Sequence, residues 1–380
     1  MSYSILAYNR MIGDRVRIEA YNRAARASIS AGSVVAELGT ASGYFAVIAC
    51  KLGASKVYAI EPDKSIEIAK LVAEANGCSD RIEFIQGVSS AVTLPEKVDV
   101  VLSDLRGALP FFGRHIPSII DARNRFLKPG GTLVPEKDDI FGAFVSSAGI
   151  YARYCDIEPK NSDEPELGAM RPALRNVVTH TDVKAADCAS TALHLGTIRY
   201  ATVDSSTFSS SVSWSPARLT VTHGMCLWFD ATLTEDARFS TGPFGSDMTY
   251  GRLFFPFSEP IALDARDSIS FSFQAILIDN EYVWRWDTAV TAPDGSIRTE
   301  FRQSTFESVG DDAHRAFRKS GDHVPSTTAR QRLSKFVLER VDGVKTLDKI
   351  AHELVEGFPD QFPELKNALT FAGEVVEKTG

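Results

Sequence analysis

The sequence has few cysteines, no excess of positive charge and no long apolar run, and each absence removes a class of protein. Its five cysteines (Cys50, Cys78, Cys155, Cys188 and Cys226) lie far apart, with no CxxC pair and no His/Cys cluster at zinc-ligand spacing. Reduced, buried thiols and no metal site are therefore expected. A formal charge of −8 and a pI near 5.5 argue against a protein that binds nucleic acid by neutralising phosphates over a broad surface. No stretch of about 18 apolar residues is present to span a bilayer. The opening MSYSILAYNRMIGDR lacks the sustained apolar core of a signal peptide. A soluble, cytoplasmic chain without nucleic-acid or membrane partners is the expectation. Internal repeats and low-complexity linkers are also missing.

What the chain does have is length and rhythm. At 380 residues it exceeds the span over which one core usually keeps growing, so two or three domains are expected. Five apolar runs, VVAELG (34–39), KVYAIE (56–61), RIEFIQ (81–86), VDVVLSD (98–104) and GTLVPE (131–136), alternate with helical stretches. That alternation predicts a doubly wound α/β domain with a parallel sheet. Ahead of it, Ile12, Val16, Ala20 and Ala24 recur at i, i+4 spacing and predict one amphipathic helix over residues 10–29. After residue 140 the texture changes to alternating Ser/Thr-rich segments such as RYATVDSSTFSSSVSW and SISFSFQAILI, separated by turn signals (TGPFGSD, APDGS). An antiparallel, barrel-like domain is expected there. The last 70 or so residues read as three helices, with Asp342-Gly343 as a break, Thr346 as an N-cap, and Pro359 and Pro363 bracketing a turn. The fold class is thus α/β plus β, with boundaries at 1–30 (covering helix), 31–140 (Rossmann-like domain), 141–308 (β-barrel-like domain) and 309–380 (small helical domain).

The first strand ends in AELGTASGYFA, where Glu37 precedes Gly39-x-Ala41-x-Gly43 and a helix. Glycines suit a loop whose backbone turns sharply and approaches a ligand. A dinucleotide fingerprint would put its third glycine at position 44, which is Tyr44, whereas a last glycine at 43 is the methyltransferase-type spacing. Ala41 replaces the middle glycine, at small cost if its φ is negative. Glu61 ends the second strand, where a carboxylate can accept from both hydroxyls of a ribose. Gly87-Val88-Ser89 closes the third at the height of an adenine.

With these residues in place, positions 34–136 resemble a class I S-adenosylmethionine (SAM)-dependent methyltransferase, and EKVDVVLSD (96–104) and RNRFLKPGGTLVPE (123–136) resemble the protein arginine methyltransferases. DRVRIEAY (14–21) is similar to the segment whose arginine holds the SAM carboxylate, which implies that role for Arg17. GMCLWFDATL (224–233) and STGPFGSDMTYG (240–251) look like the family's substrate-binding barrel and its Thr-His-Trp loop. The resemblance implies SAM as cofactor, held by Arg17, Glu37, Gly39, Gly43, Glu61, Val88 and Ser89. Residues 150–185 stand where family members carry a dimerisation arm, so a homodimer is an expectation.

The acceptor side departs from that pattern. Arginine methyltransferases grip a guanidinium between two glutamates on the hairpin after strand four, because a planar cation with five donors is matched by two carboxylates. Here the first position is Asp104, the second falls on Gly113, and the loop triplet is Thr249-Tyr250-Gly251. Across residues 103–118 one acid, Asp104, faces Arg106 and Arg114, with His115 titratable. These changes point to a nitrogen or oxygen acceptor other than peptidyl arginine, on a small molecule or natural-product peptide, with Asp104, His115 and Tyr250 as candidate bases. Two rivals stand beside it. One is an arginine N-methyltransferase in which another acid such as Glu136 replaces the missing glutamate; the other is a catalytically degenerate SAM-binding partner protein. FVLERVDGVKTLDKIAHELVEGFP (336–359) resembles the helical core of PqqD-like modules, which implies docking of a leader peptide; a packing or dimerising appendage is the alternative.

Overall fold

A computed structural model describes residues 5–157, 165, 167–278, 280–308, 327 and 329–379. The chain divides into two compact units, residues 1–316 and 317–380. In the first, two helices, α1 (Ile5–Gly13) and α2 (Arg15–Ser28), take the place of the single one expected. The break is at Asp14, an extended residue whose carboxylate accepts from the Arg17 backbone N–H at 3.1 Å and so restarts the helix. The periodic apolar stripe runs through both helices, which is why spacing alone did not show the interruption.

The parallel sheet follows as β1 (Val34–Leu38), α3 (Tyr44–Lys51), β2 (Lys56–Glu61), α4 (Ile66–Ala75), β3 (Ile82–Gln86), β4 (Val98–Ser103), α5 (His115–Arg125) and β5 (Leu127–Val134). Its strand order is β3-β2-β1-β4-β5. Every residue of β1 is buried, as a central strand covered by helices on both faces requires. The order reverses between β1 and β4, where Leu38 pairs with Ser103. Open α/β sheets bind ligands at that switch, beyond the carboxyl ends of the strands.

The antiparallel part begins with β6 (Lys137–Val145), which runs unbroken across residue 140, so the boundary falls earlier than the texture change indicated. It continues with β7 (Thr179–Thr181), β8 (Leu193–Arg199), β9 (Phe208–Trp214), β10 (Thr220–Thr234), β11 (Ala237–Ser240), β12 (Arg252–Leu263), β13 (Ser268–Ile278), β14 (Glu281–Thr291) and β15 (Ile297–Ser304). These strands form two open sheets, β7-β12-β10-β6-β8 with β11 on β10, and β15-β14-β13-β9. The barrel expected from the alternation is therefore not closed. Phe255, Phe271, Phe273 and Trp286, all fully buried, fill the core shared by the two sheets. Parts of the expected dimerisation arm, residues 158–164 and 166, lie outside the described residues.

Among the described residues the second unit holds three helices, Ala329–Leu338, Leu347–Gly357 and Leu365–Thr379, around their own core of Val337, Ile350, Leu354 and Ala368. Thr346 caps the middle one by accepting from Lys349 N–H at 3.4 Å, as its position predicted. Residues 309–326 and 328, at the start of the expected fourth domain, lie outside the described residues. Among the described residues no helix is long and apolar enough to cross a membrane.

Candidate active site

The site grows from the loop after β1. Gly39 and Gly43 have φ of 74° and 78°, which side chains rarely adopt. A Cβ on Gly43 would sit 2.9 Å from Ala69 Cβ and 3.0 Å from its Cα, so glycine lets this loop close onto α4. Ala41 is also left-handed, at φ 48°, the only non-glycine residue so placed among those described. The condition for a harmless substitution is thus not met, and the alanine carries strain of about 1 kcal/mol. The strained residue aims its N–H at Glu61 Oε2, 2.9 Å away. Replacing Ala41 by glycine should raise stability in urea unfolding by about 0.5 kcal/mol, less than the full strain because glycine frees the unfolded chain.

Two buried acids flank this loop. Burial pushes the Glu37 carboxyl up to about 8; only the Thr40 hydroxyl (2.5 Å), the Ala46 backbone and the more distant Arg17 pull it back, and nearby Glu61 opposes them. Burial also raises Glu61, whose two oxygens accept from the backbone N–H groups of Ala41 and Asp63. Among the described residues neither makes an ion pair with a cationic side chain, so the site is preorganised for a ligand bearing positive charge. Val88 stands 45% exposed after β3, while Ser89 is buried and its carbonyl accepts from Arg125. Arg17 is also buried, and its charge reaches Glu37. Glu37 fits a positively charged group of SAM, Glu61 its ribose hydroxyls and Arg17 its carboxylate.

The hairpin after β4 forms a buried polar chain. Asp104 Oδ2 accepts from Arg17 Nε and Nη2 at 2.7 and 2.6 Å and from the Tyr250 hydroxyl at 2.6 Å; its Oδ1 accepts from Arg106 Nε at 3.2 Å. Burial alone would raise the Asp104 carboxyl, yet Arg17 and Arg106 hold it at about 2. Arg106 then reaches Asp138 on β6 at 2.8 Å, Asp138 Oδ2 accepts from the Tyr200 hydroxyl, and Tyr200 meets His115 Nε2 at 2.8 Å. Because the Tyr200 hydroxyl donates to Asp138, His115 must donate from Nε2, which leaves its buried Nδ1 a bare lone pair. Burial and the Arg106 charge depress His115 to about 3, so it is neutral. Burial raises the Tyr250 phenol, which stays protonated.

Of the three candidate bases, the structure brings Asp104 and Tyr250 together with Arg17, and places His115 on the far side of Arg106. None has the free lone pair and matched pKa of a general base at neutral pH. Asp104 is an anion committed to two guanidinium groups, Tyr250 donates its proton to Asp104, and His115 faces Tyr200. Arg106 is buried rather than solvent-facing, whereas Arg114 is exposed and donates to Asn280. The sequence reading missed Tyr21, Asp138 and Tyr200. Only the inward register of Asp138, beside Ile140 on a strand whose neighbours alternate, hinted at it. Among the described residues no three His, Cys, Asp or Glu side chains converge on a metal position.

The family of ribosomal protein L11 methyltransferases (PrmA) matches residues 17–135. Protein arginine N-methyltransferase 6 of Xenopus laevis is 24% identical over 277 residues, 69% of this chain and 81% of the relative. Protein arginine N-methyltransferase PRMT10 of Oryza sativa subsp. japonica is 42% identical over 137 residues, 35% of this chain and 36% of that one, so the stronger likeness spans about a third of each. Among solved structures, Arabidopsis thaliana protein arginine methyltransferase 10 superposes with a TM-score of 0.68 at 21% identity, covering 79% of this chain and 97% of the other. The Trypanosoma brucei PRMT1 enzyme-prozyme complex with AdoHcy gives 0.68 at 19% identity, covering 78% and 97%. The chain is a SAM-dependent methyltransferase that resembles the protein arginine methyltransferases in sequence and shares their fold.

Proposed function

We propose that the methyl acceptor is a nitrogen or oxygen nucleophile other than a peptidyl arginine, on a small molecule or a natural-product peptide. The observation that carries this reading is the state of the hairpin. Both oxygens of Asp104 are taken by the chain's own arginines, and at Gly113 there is no second carboxylate. Gly113 has φ 47°, and a Cβ there would meet nothing within 4 Å, so the hairpin keeps room at that point and no charge. A guanidinium entering here would find no free acid. Glu136, the acid that would serve a remodelled arginine site, is exposed and takes no part in the buried chain.

The cofactor supplies an electrophilic methyl group on sulfur. Arg17, Glu37 and Glu61 bind and orient it, and the acceleration comes from aligning a nucleophile with that methyl group. Since Asp104, Tyr250 and His115 are unsuited to taking a proton, the acceptor reacts as an anion or as an amine already deprotonated in solution. Incubation with labelled SAM and a panel of arginine-rich peptides, free amino acids and small phenols tests this. Label should appear on amine or hydroxyl acceptors and stay off arginine peptides; efficient transfer to the peptides overturns the reading.

The names of the relatives favour a second reading, arginine methylation, and the same panel decides between them. The family-model match, residues 17–135, covers the cofactor-binding region that both readings share.

A further inference from the structure

Arg106 sits in surroundings unusual for a structural arginine. Its three guanidinium nitrogens all donate: Nε to Asp104 (3.2 Å), Nη1 to Asp138 (2.8 Å), and Nη2 to Asp104 (3.2 Å) and the Tyr21 hydroxyl. Its planar group is also ringed by Tyr21, Phe229, Phe239 and Tyr250, with centroids 5.8, 5.1, 5.5 and 5.8 Å from Cζ. The side chains of Arg106 and Asp138 are fully buried and that of Asp104 is 6% exposed. A structural ion pair needs only one counter-ion. Two carboxylates and a phenol spread around its three nitrogens, with aromatic rings about them, instead complement a guanidinium better than the single compact charge of an ammonium ion.

The charge count agrees. Arg17 and Arg106 balance Asp104 and Asp138, so without Arg106 the enclosed cluster carries one unpaired negative charge. Truncation to alanine also leaves a space with the shape of the lost atoms, two carbons and a guanidinium, which is N-ethylguanidinium.

We propose that Asp104, Asp138, Tyr21, Phe229, Phe239 and Tyr250 form a guanidinium-recognition site whose resident occupant is Arg106 of the same chain, and that this occupancy keeps guanidinium-bearing molecules out. The exclusion of such molecules as acceptors rests on the function proposed above; the recognition site itself does not. Arg106 is thereby a specificity-determining residue, covalently supplied two positions after Asp104 and ahead of any external competitor.

Calorimetric titration of the full chain with N-ethylguanidinium and with propylammonium is the test. The Arg106→Ala variant should bind N-ethylguanidinium at least about tenfold more tightly than propylammonium, the margin over a point charge of a planar cation whose donors are spread over three nitrogens, and the unaltered chain should bind neither. A folded Arg106→Ala that binds neither cation, or both equally, overturns the proposal, as does equal binding of N-ethylguanidinium by the unaltered chain. Should Arg106→Ala fail to fold, arginine-selective 15N NMR of the unaltered chain decides, with the signal assigned by its loss in Arg106→Lys. Resolved, slowly exchanging Nη protons are expected, and averaged, rapidly exchanging ones refute occupancy. Arginine-peptide methylation by the unaltered chain would defeat the acceptor reading while leaving these binding results untouched.

Discussion

Asp138→Ala loses about 3–5 kcal/mol of stability in urea unfolding, the range for removing one partner of a fully buried ion pair. Both side chains of the Arg106–Asp138 pair are completely out of water, so neither charge can be rehydrated in place. Burial pushes the Asp138 carboxyl up, while Arg106 and the Tyr200 hydroxyl pull it back, and all three depend on one another. Without Asp138, the one carboxylate left to Arg106 among the described residues is Asp104, which it shares with Arg17, beside the neutral Tyr21 hydroxyl. Pairing Asp138→Ala with Arg106→Met should recover much of the loss, because an apolar side chain of similar length removes the stranded charge. A single-variant loss below about 1 kcal/mol, the worth of an exposed pair, would show that water reaches this cluster.

Glu37→Gln is expected to weaken SAM binding about 10- to 100-fold at pH 8 and to abolish the pH dependence that Glu37 causes. The affinity loss corresponds to about 1.5–3 kcal/mol, the contribution of a charged hydrogen-bonding group in a desolvated site. The proton balance follows from the burial of Glu37, which raises its carboxyl from 4.5 to about 8. Between those values the folded cofactor-free chain holds a proton that the unfolded chain has released. The stability contribution of this group is therefore full below pH 4.5 and is lost as pH rises through 8. A bound cation favours the ionised form, so binding near neutral pH expels about one proton and affinity climbs with pH up to about 8. Calorimetry at pH 7 in two buffers of different ionisation enthalpy counts that proton. An unchanged count in Glu37→Gln would place the titrating group elsewhere.

Much of the cofactor half was legible because local chemistry fixes it. A central parallel strand must be apolar throughout, a loop at positive φ favours glycine, and a carboxylate ending β2 reads directly from KVYAIE. The acceptor half was legible only as a departure, in Asp104 and Gly113. Asp138 showed only its inward register, and Tyr200 and Tyr21 showed nothing, because their meaning is tertiary: the chain brings residues as far apart as Arg17 and Tyr250, 233 positions, into one hydrogen-bonded series. Arg106 and His115 read as a titratable, cationic loop, whereas burial turns the first into a fixed counter-ion and the second into a neutral ring. Open sheets instead of a closed barrel escaped detection for a related reason, since alternation along a strand specifies its two faces and not its neighbours.

The buried series from Arg17 to His115 also limits how this enzyme can be divided. The family match at residues 17–135 outlines a region that looks excisable, a minimal catalytic module to be grafted or expressed alone. A cut after residue 135 would discard Asp138, Tyr200 and Tyr250, and with them every partner of Arg106 except Asp104 and Tyr21. What descent treats as a detachable cassette is, in this chain, wired at its mouth to the sheets that follow, so engineering of its specificity must carry both halves together.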